Sequence, residues 1–245
     1  MATVILVRHG RTGANATGVL AGRTRGVHLD ETGAEQAHAV GARLSVLPLA
    51  AVVTSPLERT RETAKAIAAA QAAPSRPRSE KGLLECDYGT WTGRELKTLA
   101  KEELWRTVQA HPSAAAFPDG ESMAEMAARA VGAVRRWDFR LEDEHGADAV
   151  WVAVSHGDVI KAILADALGM HLDAFQRLVV DPGSCSVVRY TPLRPFVLSM
   201  NTTEGDLGHL RPPRKSKRRK RASSDAAVGG GTGAAAHADP VRPTA

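Results

Sequence analysis

The sequence predicts an α/β protein of three layers, in which a largely parallel sheet carries helices on both faces. Three observations support this. An apolar run at residues 4–7 ends at Arg8-His9-Gly10, a second at residues 149–154 ends at Ser155-His156-Gly157, and helical patterns alternate with strands between them. Such runs are typical of buried parallel strands. Ligands bind at the carboxyl ends of strands in these sheets, so both histidines are candidate site residues, although a histidine there can also be purely structural.

After the first strand, residues 15–29 are rich in Gly, Thr and Arg and predict a loop. Thr32 followed by Glu35 suggests a capping box. The apolar positions 37, 40, 44 and 47 then indicate a helix that ends by Pro48.

Residues 51–54 predict a second strand, and apolar positions from Leu57 onward predict a helix that breaks before Pro74. Arg59 and Arg61 lie in the first turns of this helix. Cations at a helix start oppose the helix dipole, so the pair suggests an anion site at the end of the strand. The alternative is two ordinary surface arginines.

Residues 83–93 predict a loop with two glycines, an acid and two aromatics, and residues 94–110 predict a polar helical segment. A turn at residues 117–122 precedes a long helix that begins at Met123, whose methionines are expected in the core. A helix after Gly157 closes at Gly169, and residues 185–190 and 196–200 are the last strand candidates.

The basic character of the 245-residue chain belongs to its end. Residues 211–221 hold eight Lys and Arg and no acid, whereas residues 1–210 hold 23 Lys and Arg against 25 Asp and Glu. The following stretch is rich in Gly, Ala and Pro. We therefore expect residues 1–210 to form one near-neutral domain and residues 211–245 to be a disordered tail.

Several classes of protein are disfavoured. Cys86 and Cys185 lie far apart, so neither a disulfide framework nor a zinc knuckle is expected, and no metal-binding histidine motif is present. No apolar run approaches the roughly 18 residues of a membrane span. We expect a cytoplasmic protein without membrane partners.

Six short motifs occur in an order that resembles the histidine phosphatase superfamily, the phosphoglycerate-mutase-like proteins. They are Arg8-His9-Gly10 with Thr12 and Asn15; Gly33 after Leu29; Ser55-Pro56-Leu57-Glu58-Arg59-Thr60; Leu84-Glu85 with Gly89, Trp91 and Gly93; Gly120-Glu121-Ser122; and Ser155-His156-Gly157. The resemblance spans residues 3 to about 200 and implies a phosphoglycerate-mutase-like fold.

The resemblance also implies a mechanism that needs no metal or cofactor. His9 would be the nucleophile that forms a phosphohistidine, and Glu85 the general acid and base. The phosphoryl oxygens would be bound by side chains and backbone from Arg8, Thr12, Asn15, Arg59, His156 and Gly157. Arginine suits this role because its charge is permanent and its donors form a fork.

Phosphatase chemistry is favoured over mutase chemistry. Glu95-Leu96 stand where the mutase pattern has Asn-Lys, and no Arg-Arg pair lies between Gly93 and Pro118. The expected substrate is a small phosphorylated metabolite in a pocket walled by residues 86–117. The wall residues expected nearest the substrate are Cys86, Asp87, Tyr88 and Trp91, with Lys97, Lys101, Arg106 and His111 as possible contacts.

A rival hypothesis makes the domain a non-catalytic scaffold whose tail binds nucleic acid through Lys215 to Arg221. No aromatic residue lies among these charges to stack on bases, so a solvated tail is favoured. Deletion of residues 211–245 is then expected to leave turnover of a small phosphate ester intact. The sequence leaves the oligomeric state open.

Overall fold

The computed structural model describes residues 2–211 and contains six strands and seven α-helices within that range. The strands are β1 (Thr3–Arg8), β2 (Leu49–Thr54), β3 (Arg78–Ser79), β4 (Val150–Ser155), β5 (Cys185–Arg189) and β6 (Phe196–Thr202). The helices are α1 (Gly13–Thr17), α2 (Glu31–Leu44), α3 (Glu58–Ala69), α4 (Leu96–Leu99), α5 (Glu103–Ala110), α6 (Met123–His145) and α7 (Gly157–Ala167). The predicted tail lies outside the described residues apart from Arg211.

The strands form one sheet in the order β3-β2-β4-β1-β5-β6. The first four are parallel, and β5 and β6 are antiparallel additions on one side. The predicted α/β class with a largely parallel sheet is therefore confirmed. Because β1, β4 and β2 are parallel neighbours, the residues that follow them meet at one edge of the sheet.

Alternating side chains of β1 enter two separate cores. Val4 and Leu6 pack with residues of α6 and α7, whereas Ile5 and Val7 pack with residues of α2 and α3. Successive strand residues point to opposite faces, so one apolar strand serves both cores. The sheet therefore lies between a layer with α6 and α7 and a layer with α2 and α3, which gives the three layers that were predicted.

The element predictions differ from the structure mainly at helix starts. The cap of α2 is Asp30, whose carboxylate accepts from the Gly33 amide at 2.8 Å, so the predicted Thr32–Glu35 capping box is wrong. The Thr32 hydroxyl instead accepts from the Arg11 guanidinium. The predicted loop at residues 15–29 begins inside the short helix α1.

The long helix runs further than its predicted apolar face, from Met123 to His145. Ser122 caps it in a complete capping box with Glu125, and Met123 and Met126 are fully buried, which confirms their place in the core. The polar segment at residues 94–110 forms α4 and α5, two short helices in place of one. None of the described helices is both long and apolar enough to cross a membrane.

Candidate active site

Three loops converge where β1, β4 and β2 end. The His9 amide donates to the Ser155 carbonyl and the Ser55 amide donates to the Val154 carbonyl, both at 3.0 Å, so the strand pairing continues into the site. The rings of His9 and His156 lie 5.2 Å apart, nearly edge to face. Two histidines separated by 147 positions in sequence thus face each other.

Close backbone packing holds the turn that carries His9. A Cβ added to Gly10 would lie 2.2 Å from the Gly33 carbonyl oxygen, and one on Gly33 would lie 1.9 Å from the Arg11 carbonyl oxygen. Only glycine permits this approach at both positions. The start of α2 therefore fixes the backbone that follows His9.

The hydrogen bonds of His9 identify its tautomer. Its Nδ1 lies 2.7 Å from the Gly10 carbonyl oxygen, which can only accept, so Nδ1 carries the proton. Its Nε2 lies 3.2 Å from Nε of Arg59, which can only donate, so Nε2 is unprotonated. Burial and then the charge of Arg59 hold the pKa of His9 well below its usual value. His9 is therefore a neutral imidazole with a lone pair on Nε2.

His156 has the opposite tautomer. Its Nδ1 accepts from Nη2 of Arg59 at 3.2 Å, and its Nε2 lies 2.9 Å from the Ser55 hydroxyl, to which it donates. Burial and then Arg59 also hold the pKa of His156 well below its usual value. Nδ1, which lies near Arg59 and Glu85, is thus an acceptor in this structure, and it donates to an anion only after it gains a proton. His156 itself is fully buried and is not among the residues that line the cavity.

Arg59 is 2% exposed although it lies in the first turn of α3. Besides its bonds to the two imidazoles, it donates to the Gly22 carbonyl at 2.8 Å. Its Nη1 is buried without a hydrogen-bond partner among the described residues. Arg61, in contrast, is exposed. Of the two arginines at this helix start, Arg59 is therefore a buried site residue and Arg61 a surface residue.

Arg8 adds a second guanidinium with an unused donor. Its Nη1 donates to the Val180 carbonyl at 2.6 Å, while its Nε is buried and unpartnered within the described part of the chain. A buried donor without an acceptor costs free energy, on the order of 1–3 kcal/mol. Arg8 and Arg59 both line the cavity at His9, so their unused donors are suited to bind an anion there.

Glu85 lies next to this pair of imidazoles. One carboxyl oxygen accepts from the Cys86 amide at 2.9 Å, and the other lies 3.9 Å from Nδ1 of His156. Burial and, second, the Asp158 carboxylate raise the pKa of Glu85 to about 7, against the opposing charge of Arg59. A substantial share of Glu85 is therefore protonated at neutral pH, as a general acid requires.

Two arginines that the sequence reasoning missed hold the backbone of Glu85. Nε of Arg23 and Nη2 of Arg129 donate to the Glu85 carbonyl at 2.9 and 3.0 Å. Both arginines also bind the Glu121 carboxylate, which lies in the Gly-Glu-Ser motif. The signal in the sequence was Glu121 itself, an acid in one of the six motifs to which no role had been given.

Asp158 and Lys161 were also missed and lie on α7, just after the second His-Gly turn. The Tyr88 hydroxyl donates to the Asp158 carboxylate at 2.8 Å. Nζ of Lys161 donates to the Gln176 side-chain oxygen at 3.1 Å and lies 3.9 Å from Asp158. Their position in the first turns of a helix that follows a site histidine is the signal by which sequence reasoning could have found them.

The remaining predicted binding residues line the same cavity as His9. Thr12 caps α1, and its hydroxyl donates to the Asn15 side-chain oxygen at 2.9 Å. That oxygen also accepts from the Thr12 amide, so the capping box leaves the Asn15 side-chain nitrogen as its donor for a ligand. Gly157 begins α7. The structure thus gathers all eight predicted site residues at one edge of the sheet.

The cavity has a volume of about 500 Å³. Tyr88 and Trp91 line it as predicted. The other six residues expected in the wall are not among the lining residues: Cys86, Asp87, Lys97, Lys101, Arg106 and His111. Cys86 is buried against Met123, and Asp87 pairs with Arg23. The four expected basic contacts are all exposed, and the residues of α4 and α5 that line the cavity are instead Leu96, Trp105, Val108 and Gln109.

Comparisons with known proteins agree with this geometry. Residues 4–203 match the family model of the histidine phosphatase superfamily (branch 1). A relative from Yersinia enterocolitica named probable phosphoglycerate mutase GpmB is 34% identical over 217 residues, which cover 87% of this chain and 97% of the relative.

Solved structures give the same result. Bacillus stearothermophilus YhfR has a TM-score of 0.73 at 25% identity and covers 86% of this chain and 100% of its own. A putative alpha-ribazole-5'-P phosphatase from Escherichia coli has a TM-score of 0.69 at 25% identity, over 82% of this chain and 97% of its own.

Proposed function

The chain belongs to the histidine phosphatase superfamily, and we propose that it hydrolyses a small phosphomonoester through a phosphohistidine on His9. One observation carries the proposal. The unprotonated Nε2 of a neutral imidazole lies 3.2 Å from Arg59 in a cavity that Arg8 also lines, and each guanidinium keeps a buried N–H without an acceptor among the described residues. A nucleophile beside unused cationic donors suits attack on a phosphoryl group.

In the first step Nε2 of His9 attacks phosphorus, the N–P bond forms and the bond from phosphorus to the ester oxygen breaks. Arg8 and Arg59 stabilise the negative charge on the equatorial oxygens. The protonated carboxyl of Glu85 gives its proton to the departing oxygen. Nδ1–H remains bonded to the Gly10 carbonyl throughout, which keeps the ring oriented.

In the second step water attacks the phosphohistidine. The Glu85 carboxylate takes a proton from the water, the N–P bond breaks and inorganic phosphate is released. His9 returns to its neutral form and Glu85 to its acid form. A residue with a pKa of about 7 can serve in both directions, because neither protonation state is costly near neutral pH.

The test uses p-nitrophenyl phosphate and a set of metabolite phosphomonoesters, with EDTA present. We expect wild-type turnover that EDTA does not affect and that His9→Ala abolishes, while His38→Ala, a change of an exposed histidine on α2, has no effect. Quenched single turnovers should contain an acid-labile, base-stable phosphoryl group on wild-type protein. Absence of phosphate release from every ester would overturn the proposal.

Mutase activity is the second candidate, because relatives that are 34% identical are named probable phosphoglycerate mutases. Interconversion of 3-phosphoglycerate and 2-phosphoglycerate faster than phosphate release would favour it. The proposal of a phosphatase requires the reverse order of rates.

A further inference from the structure

The part of the cavity away from His9 has a lining unlike the end with the two arginines. We infer from it that the alcohol released from the substrate is bulky, largely apolar and uncharged. This inference rests on the proposed function, because it concerns the leaving group of the same hydrolysis.

Six of the apolar side chains that line the cavity together form what we call the apolar wall: Leu20, Trp91, Leu96, Trp105, Val108 and Phe117. The Trp91 ring is stacked on Trp105 at 6.2 Å and meets Phe117 edge to face at 5.3 Å. Backbone hydrogen bonds from Leu20 to Arg94 and from Leu96 to Gly18, both 2.9 Å, join two of the segments that contribute to the wall. The wall is therefore preformed, as pockets for apolar ligands usually are.

Part of this lining is exposed apolar surface. Seven large apolar side chains are exposed within residues 2–211, and two of them, Leu96 at 38% and Val179 at 61%, line the cavity. Covering such surface with an apolar group is favourable, because it removes that surface from water. A polar or heavily hydrated alcohol would not gain this free energy.

The charges disfavour a second anionic group on the alcohol. The cations that line the cavity, within the described part of the chain, are Arg8, Arg59 and Lys161. The two arginines lie at His9, and Lys161 already binds Gln176 and lies 3.9 Å from Asp158. The carboxylates of Asp158 and Asp181 line the cavity too. Away from the two arginines, a carboxylate or second phosphate would meet these two acids and, among the described residues, a single cation, Lys161, which lies beside one of them.

The size of the cavity is consistent with a bulky alcohol. A volume of about 500 Å³ lies within the range of roughly 300–1,000 Å³ that is usual for small-molecule sites and leaves room beyond the phosphoryl group for a ring system.

The experiment compares kcat/KM for phosphate monoesters of primary alcohols, so that leaving-group reactivity varies little. The esters are ethyl, hexyl and 2-(1-naphthyl)ethyl phosphate, with glycerol 1-phosphate and 3-phosphoglycerate as polar and anionic members. We expect the naphthylethyl ester to exceed ethyl and glycerol phosphates by about tenfold or more, with 3-phosphoglycerate the poorest. A higher value for 3-phosphoglycerate than for the naphthylethyl ester would overturn the inference.

Two exposed positions give a matched pair of variants. Val179→Lys adds a cation at the cavity and is expected to lower the ratio of kcat/KM for the naphthylethyl ester to that for 3-phosphoglycerate by about threefold to tenfold. Leu193→Lys, at a residue of similar exposure that does not line the cavity, should leave this ratio unchanged. Equal effects of the two changes would contradict the inference.

Binding to the His9→Ala protein separates this inference from the proposed function. Calorimetric affinities for the same esters should follow the same order, with the naphthylethyl ester tightest. If no ester were hydrolysed by the wild type, the proposed function would fail, and the order of affinities would still decide the chemical class of the ligand. Uniform affinities would overturn the inference.

Discussion

His9 and His156 each follow a buried strand and precede a glycine, and β1 pairs with β4 so that Arg8 lies opposite Ser155. Their surroundings in the sequence are nearly the same, yet their hydrogen bonds are opposite. His9 donates from Nδ1 to the next residue in its own chain, whereas His156 donates from Nε2 to Ser55. Arg59 donates to the nitrogen that each ring leaves unprotonated.

This difference separates the roles of the two rings. The bond from Nδ1–H of His9 to the Gly10 carbonyl is local, while Arg59, 50 positions away, donates to Nε2. The tautomer of His156 depends on two residues that are distant in sequence: Arg59, which donates to Nδ1, and Ser55, whose hydroxyl accepts from Nε2–H. A strand–His–Gly pattern therefore predicts where an imidazole lies. Which of its nitrogens carries the proton depends on the hydrogen-bond partners of the ring.

Removal of the proposed nucleophile, His9, is expected to have the largest effect on turnover. His9→Ala is expected to lower kcat by about 10⁴-fold or more, because no other side chain can form the phosphoryl intermediate. Single-turnover quenching should then show no phosphorylated protein. An effect below about tenfold would mean that His9 is not the nucleophile.

Burial shifts the pKa of Glu85 in the direction opposite to that of the two histidines. It lowers the pKa of both imidazoles and raises the pKa of Glu85 to about 7. The proton donor is present below that value and is lost above it, while His9 stays neutral throughout. For primary alkyl esters kcat/KM should therefore be level just below pH 7 and fall about tenfold per pH unit well above it.

Glu85→Gln should lower this kcat/KM by about 10²- to 10⁴-fold and remove the fall above pH 7. The loss should be smaller for p-nitrophenyl phosphate, whose leaving group needs no proton. A wild-type profile that is level from pH 5 to 8 would contradict the role of Glu85.

His156→Ala is expected to cost less than loss of His9, about 10²- to 10³-fold in kcat, because it removes one contact to the phosphoryl oxygens and leaves the nucleophile in place. Phosphorylated protein should remain detectable in quenched turnovers. Its complete absence would show that the two histidines do not divide the roles as the tautomers indicate.

Ser55→Ala gives the smallest expected effect and the sharpest test of the tautomer argument. The acceptor for Nε2–H of His156 is lost, so kcat should fall about tenfold and ¹⁵N spectra should show a mixed tautomer for His156 and an unchanged one for His9. Ser45→Ala, at an exposed serine after α2, is the control. An unchanged His156 spectrum in Ser55→Ala would mean that Ser55 does not set the tautomer.

Much of the fold could be predicted from the sequence because its signals are local. The apolar runs of β1 and β4 and the periodic face of α6 belong to contiguous residues, and each is an element of the structure. The predicted start of α2 was wrong because two side chains, Asp30 and Thr32, could each have capped the helix. In the structure the Asp30 carboxylate accepts from the Gly33 amide, and the Thr32 hydroxyl accepts from Arg11, a residue outside the helix.

The cavity wall shows the opposite case. The four basic residues at positions 97, 101, 106 and 111 were expected to contact a ligand, but all four are exposed, while Leu99, Trp105 and Val108 pack into the same core as Trp91 and Phe117. Lys161 and Asp158 reach the cavity instead, from a helix whose place depends on the sheet. Which side of a short helix faces a cavity is a tertiary property that its own composition does not reveal.

By itself the sequence determined five of the six strands in the described residues, the two His-Gly turns and the presence of Arg8, Arg59 and Glu85, because each of these follows from short-range pattern; the two-residue strand β3 was not predicted. Only the tertiary structure decided the two tautomers and the raised pKa of Glu85. Arg59 is 50 positions from His9, and Ser55 is 101 positions from His156. The protonation state of a buried group depends on the charges and hydrogen bonds that surround it in space, and folding alone brings those groups together.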